Sequence, residues 1–402
     1  MAFSFQRNQS AHRGRYTPTL WPVWFVAPVA LIVVGVLGWT IYHQAYAYFV
    51  HAAARQTPGQ PVNVNDALKA TATVLATIGA VLAGLYAYRK QLLAESDAHR
   101  ADASQLAERY ATAAEQLGHE QAAVRLAGVY ALARLADDWE EQRQVCINVL
   151  CAYLRMPYAP DPTGSGHRIG DREVRQTILS VIRDHLREPS AATAWCTYDL
   201  DFTDATFDGG DLSRIHFRGN ARFNGSVFSE GKVNFTGASF SSGNVDFTGA
   251  QFSGGTLDFG HAIFCENIHL NFTTASLSAG DLSFTGTTFS DAFVSFVGAQ
   301  FTGCNVGFFA ATFSGPTVDF AKAEFTDGLI YFIEAKFRQG IADFSQAKFS
   351  DGNVDFTAAE FIGGNIRFTN AILRGRSPIF CNARFGDTMF QWGPIPVPPG
   401  AS

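Results

Sequence analysis

Between Phe235 and Phe385 a bulky side chain returns at alternating steps of five and seven residues: Phe235, Phe240, Phe247, Phe252, Phe259, Phe264. One extra residue intervenes. The beat then resumes at Phe272 and runs through Phe284, Phe296, Phe308, Phe320, Phe332, Phe344, Phe356, Phe368 and Phe380. A fixed short period leaves a chain few options. Each copy is too small to bury its own apolar face, whereas stacked copies share one continuous core, so a solenoid is expected here.

Within each copy the pattern is strand-like. Val245 and Phe247 alternate with polar neighbours, Ala250 and Phe252 do the same, and Ser253-Gly254-Gly255 turns the chain. Alternation of this kind buries one face of a strand. Over thirteen copies the third inward slot is Ala except at Thr287, and the two bulky slots are Phe except at Leu277 and Leu373. Burying a Phe contributes roughly 1.5–3 kcal/mol, so the rings need no function beyond the core. The outward slot before the first Phe is Asp at Asp246, Asp258, Asp319, Asp343 and Asp355, and varied elsewhere.

Ala205-Thr-Phe207-Asp-Gly, Gly210-Asp-Leu212-Ser-Arg and Ile215-His-Phe217-Arg-Gly place a small or aliphatic residue two before a central Leu or Phe. In this the chain resembles the pentapeptide-repeat family. Later copies match it as alternate pentads with two residues added after every second one. The resemblance implies a right-handed quadrilateral β-helix with turns of about 24 residues, in preference to 12, over residues 197–392. It also extends to bacterial, actinomycete-like membrane proteins that join a two-helix anchor to a helical module and then to such repeats. The segment AVRLAGVYALARLADDW and the string VLCAYLR carry that wider likeness. It implies architecture and no activity.

The front of the chain differs in kind. Only four of the 36 Phe precede residue 197. No Lys, Arg, Asp or Glu lies between Arg15 and Arg55, and Trp21 to Tyr42 is long and apolar enough to cross about 30 Å of hydrocarbon, with aromatics at both ends. A second uncharged run covers Ala70 to Tyr88. On it Ala72, Ala76, Ala80 and Gly84 form one smooth face that lets helices approach closely in lipid, either the first segment or a second copy. Arg7, Arg13 and Arg15 at one end, with Arg89 and Lys90 at the other, put both termini in the cytoplasm of a multi-pass plasma-membrane protein. Residues 1–90 are thus read as tail and transmembrane hairpin (helices about 21–42 and 70–88), and 393–402 as a Pro-rich tail.

Residues 91–196 read as a small all-α module. Leu106, Tyr110, Ala114 and Leu117 make a helical stripe ending at Gly118. Further helices are expected near 124–136 and 141–156, and after Asp171 as N-cap. Glu140, Glu141, Arg143, Arg183, Asp184 and Arg187 read as solvated faces. The six cysteines show no metal-ligand spacing and read as buried thiols.

No catalytic, metal or cofactor set emerges, so no enzyme is expected. Net charge is −6 overall and about −8 after residue 197, with basic residues interspersed, so nucleic acid is not an expected partner. The expected role is a membrane-anchored scaffold or protein-interaction module with an unidentified protein partner and the lipid bilayer. The alternatives are a membrane effector or transducer acting through helix association, or a DNA-mimic inhibitor of a topoisomerase.

Overall fold

The computed structural model describes residues 23–56, 64–161, 163, 164 and 167–401. The chain divides into two units, Met1–Asp102 and Ala103–Ser402.

The described backbone of the first unit is helical: α1 spans Val23–Gln56, and α2 runs from Val64 to Gly118. Inside this unit α1 meets α2 at Gly38, where a Cβ would come within 3.3 Å of Leu75 Cδ1. Among the described residues one stretch, Leu68–Glu95, is long and apolar enough to cross a membrane. It exposes Leu82, Leu85, Tyr86 and Tyr88. The other expected span is helical from Val23, while Trp21, Arg7, Arg13 and Arg15 lie outside the described residues. Thr71 is buried, whereas Ala72, Ala76, Ala80 and Gly84 are all exposed, and a Cβ on Gly84 would meet nothing within 4 Å. The small-residue face is therefore not the one turned toward α1.

In the second unit the end of α2 is followed by α3 (Ala122–Asp138), α4 (Arg143–Arg155) and α5 (Asp171–Arg187). Gly128 lets α3 close on α2, since a Cβ there would sit 2.5 Å from the Leu117 nitrogen. Val129, Leu132, Ile147, Leu150, Ile178 and Ile182 are buried in the shared core. Asp171 does not cap α5. Gly170 occupies the N-cap position at φ +71°, and Asp171 is the first helical residue. Its carboxylate turns inward instead, accepting the Tyr153 hydroxyl and lying 3.6 Å from the fully buried Arg125. An ionic partner inside the core outweighed a cap in water.

From Leu200 onward all paired strands are parallel and form a β-solenoid consistent with a pentapeptide-repeat fold. The rungs Leu200, Ala221, Val245, Leu270, Val294, Val318, Ala342, Ile366 and Phe390 stack in register, giving about eight turns. From Val294 the register advances 24 residues per turn. The single extra residue before Phe272 is absorbed at a corner, with Asn267 left-handed at φ +65° and Ile268 buried.

The interior is four columns of rings. Phe247, Phe272, Phe296, Phe320, Phe344 and Phe368 stack at centroid distances of 4.7–5.0 Å. Phe235, Phe259, Phe284, Phe308, Phe332 and Phe356 form the second such column. These two columns meet edge to face, as Phe320 and Phe332 do at 89°, a geometry that suits the aromatic quadrupole. The second ring of each copy supplies the outer two columns, for example Phe289, Phe313 and Phe337. Each column follows strand spacing, so one residue type serves every level.

A turn follows the first ring of each copy. The Ala250 N–H donates to the Phe247 carbonyl, and Gly249 between them is left-handed at φ +67°. Later copies put Lys322, Glu334, Gln346 and Ala358 in that left-handed position. Thr287, the one exception in the alanine slot, is buried with its hydroxyl donated to the Phe259 carbonyl at 2.7 Å.

Candidate functional site

The core rings Phe235, Phe247, Phe259, Phe296, Phe308, Phe320, Phe332, Phe344, Phe356 and Phe368 are all buried, so none is presented to a ligand. What the solenoid can offer lies on its outward slots and at its ends.

The outward aspartates do local work first. Asp246, Asp258, Asp319, Asp343 and Asp355 each accept the backbone N–H two residues on, at 2.8–2.9 Å. Asn271 serves identically toward Thr273. This is the side-chain turn that Asp and Asn make by mimicking backbone, and it pins each corner. Two of these acids are also paired. Lys232 reaches Asp258 at 2.6 Å and Arg367 lies 3.7 Å from Asp343. On the other outward slots Lys348 meets Glu324 at 2.5 Å and Arg384 meets Glu360 at 2.9 Å, each one turn apart.

At the N-terminal end, helices cover the first turn. Leu179 of α5 occupies the space a side chain on Gly210 would need, with a Cβ there falling 2.5 Å from Leu179 Cδ1. Around this contact the acids of the first turn meet donors from the helices. Arg155 pairs with Asp201 at 3.0 Å, Arg172 with Asp208 at 3.1 Å and Arg183 with Asp211 at 2.7 Å. Tyr158 donates to Asp208 at 2.5 Å. Buried Arg175 donates to the carbonyls of Leu154 and Thr206, tying α4 to the first strands, and its guanidinium lies 4.3 Å from the Tyr158 ring centroid. An open parallel edge invites pairing with another chain, and here helices close it. At the far end Trp392 stacks on Phe390 at 4.3 Å and Ile395 is buried.

Several expected solvated residues are therefore reassigned. Arg143 is buried and donates to the carbonyls of Ala136, Asp137 and Ala192, and Arg183 and Arg187 face the first turn. Glu140, Glu141 and Asp184 are exposed as expected. His185 stacks on buried Trp195 at 4.1 Å, with Nε2 3.1 Å from Asp137 Oδ1.

Burial sets the chemistry of the thiols. It raises Cys146 to about 11 and Cys151 and Cys304 to about 12, which keeps them as inert thiols. Cys381 departs from the expectation and is exposed. For Asp201 and Asp211 burial alone would raise the carboxyl. Hydrogen bonds from Thr203 and Ser213, with the charges of Arg155 and Arg183, reverse this and hold both below the ordinary carboxylate range.

A polar groove of about 280 Å³ lies where α4 meets the first turn, lined by Gln144, Asn148, Arg155, Asp199, Asp201 and Arg222. Its groups are largely committed to one another, as Gln144 bonds Asp199 and Arg155 bonds Asp201. Among the described residues no three His, Cys, Asp or Glu side chains gather as a metal set. Among the described residues, the exposed small-residue face of α2 and the solenoid surface are two of the features open to other molecules. Comparison with protein-family models, curated proteins and solved structures returns no match.

Proposed function

We propose that this protein is a membrane-anchored scaffold that offers a rigid, helix-capped β-solenoid to a protein partner and catalyses no reaction. One observation carries the reading. The membrane-length stretch Leu68–Glu95 exposes Leu82, Leu85, Tyr86 and Tyr88 without protein cover, in a chain whose solenoid is filled by its own rings. Apolar area of that kind is costly in water, at about 25 cal/mol per Å², and is at home in lipid, where a helix satisfies its own backbone. A second span over residues 21–42, a plasma-membrane location and cytoplasmic termini belong to the same proposal, on the charge pattern given above.

The exposed face of Ala72, Ala76, Ala80 and Gly84 favours one further reading, association of two copies through α2, which would let the protein act as an effector or transducer. The topoisomerase-inhibitor alternative is weaker, because the outward aspartates are engaged in turns and two of them are paired with Lys or Arg.

The test is co-isolation from membranes in mild detergent. The full chain is expected to retain a stoichiometric partner that a chain ending at Asp102 loses. A partner held equally by the truncated chain would overturn the scaffold reading.

A further inference from the structure

Stacked copies place equivalent residues one above another, so a departure from the pattern is easy to locate. On one face the slot immediately before the inward aliphatic residue reads Asp281, Asn305, Leu329, Asn353, in register through the parallel pairs. Two residues on, the sequence down the stack is Ser283, Gly307, Tyr331, Asp355; two further it is Thr285, Phe309, Ile333, Thr357. Across four turns the face is polar or glycine except at Phe309, Leu329, Tyr331 and Ile333, which fall together on adjacent turns. Leu329 is 39 % and Phe309 42 % exposed, while Tyr331 and Ile333 are half-buried.

None of the four is needed for the core, which Phe308, Ile330 and Phe332 fill from the other side of the same strands. Nor does the fold need their bulk, since Asn, Ser, Asp and Thr hold the same slots in neighbouring turns. Tyr331 lies over Gly307, where a Cβ would be 3.8 Å from its Cδ2. The glycine lets the ring lie toward Asp281, which adds to the effect of burial in raising the Tyr331 phenol. The result is a compact patch of two aromatic and two aliphatic side chains, the composition of an interface centre.

This face carries Asp281 and Asp355 in its own slots, Asp327 and Glu334 lie within two residues of Leu329 and Ile333 in the chain, and the outward slots of the face over the same turns hold no Lys or Arg. We propose that Phe309, Leu329, Tyr331 and Ile333 are the docking surface for a protein segment that presents apolar anchors flanked by lysine or arginine. The apolar residues supply contact area, and the carboxylates select the charge of the partner and speed its approach. This rests on the scaffold reading and gives it a site.

The experiment uses the full chain in detergent micelles and an array of short synthetic peptides in three classes: cationic with Leu and Trp, anionic with Leu and Trp, and cationic without apolar residues. The variant carries Phe309→Thr, Leu329→Asn, Tyr331→Ser and Ile333→Thr, each borrowed from the same slot of another turn of this face, so the fold is expected to survive and its melting curve is recorded. Cationic–apolar peptides should bind the wild type, lose affinity in salt, and bind the variant at least about tenfold more weakly, which is 1.4 kcal/mol. Equal binding by a folded variant, equal binding of the anionic class, or no binding by any cationic–apolar peptide overturns the proposal. Failure of the patch and failure of the scaffold reading separate. A wrong patch leaves the variant holding the partner that a chain ending at Asp102 loses, whereas a wrong scaffold reading leaves that truncation without effect.

Discussion

Arg183, on the capping helix α5, places Nη1 2.7 Å from Oδ2 of Asp211 on the first turn of the solenoid, with Arg187 Nη2 4.0 Å from the same oxygen. This pair belongs to a clamp that joins the helices to the first turn of the β-solenoid. Exposed pairs of this type contribute little singly. The weight falls on Arg175, which is buried and satisfies carbonyls on both sides of the junction. Arg175→Leu leaves those carbonyls unpaired and should cost about 2–4 kcal/mol, read as a lower urea midpoint. Arg183→Gln should shift it far less.

Acid should loosen the same junction first. Asp201 and Asp211 have carboxyls held below their unfolded values, so their stabilisation is complete above the ordinary carboxylate pKa of about 4 and is lost as pH falls through the lower folded value. Hydrogen exchange in Leu200–Phe207 should therefore accelerate below about pH 4 before exchange in the central turns does. A simultaneous rise in both regions would contradict this order.

Asp319 titrates in the opposite sense. Burial, followed by the nearby Asp343, raises its carboxyl, against the Ala321 N–H that lowers it. A raised acid costs stability above its unfolded pKa. Asp319→Asn keeps the acceptor for Ala321, as Asn271 does for Thr273, and removes the charge. The variant should melt higher than wild type at pH 7 and no higher at pH 3.

Gln346 sits in the left-handed position of its turn at φ +60°, a conformation that costs a non-glycine residue roughly 1–2 kcal/mol. Gly at this point offsets that cost, less its own entropy penalty of about 0.5–1 kcal/mol. Gln346→Gly is expected to raise Tm by up to a few degrees. A lower Tm would show that the side chain contributes more than its backbone strain costs.

The ring periodicity made the solenoid legible because every inward position repeats, and the 24-residue turn came from the resemblance to pentapeptide repeats. The helical stripe of Leu106, Tyr110, Ala114 and Leu117 was legible for the same reason. The cap on the first turn was not. Arg155 and Asp201, or Arg183 and Asp211, lie far apart in sequence, and each alone resembles an ordinary surface charge. Asp171 read as a cap because its partner Tyr153 belongs to another helix. The turn-pinning role of the outward aspartates was not legible, because a side-chain turn depends on the backbone conformation two residues later, which composition does not encode. The patch at Phe309, Leu329, Tyr331 and Ile333 was visible only once the turns were in register, when residues 24 apart became neighbours.

The most direct test of the account is topology. A fluorescent protein that matures only in the cytoplasm is fused after Ser402, and in parallel a phosphatase active only outside. Membrane-bound fluorescence without phosphatase activity is the expected result. Phosphatase activity without fluorescence, or fluorescence that is released in the soluble fraction, would contradict a cytoplasmic solenoid held at a membrane by Leu68–Glu95.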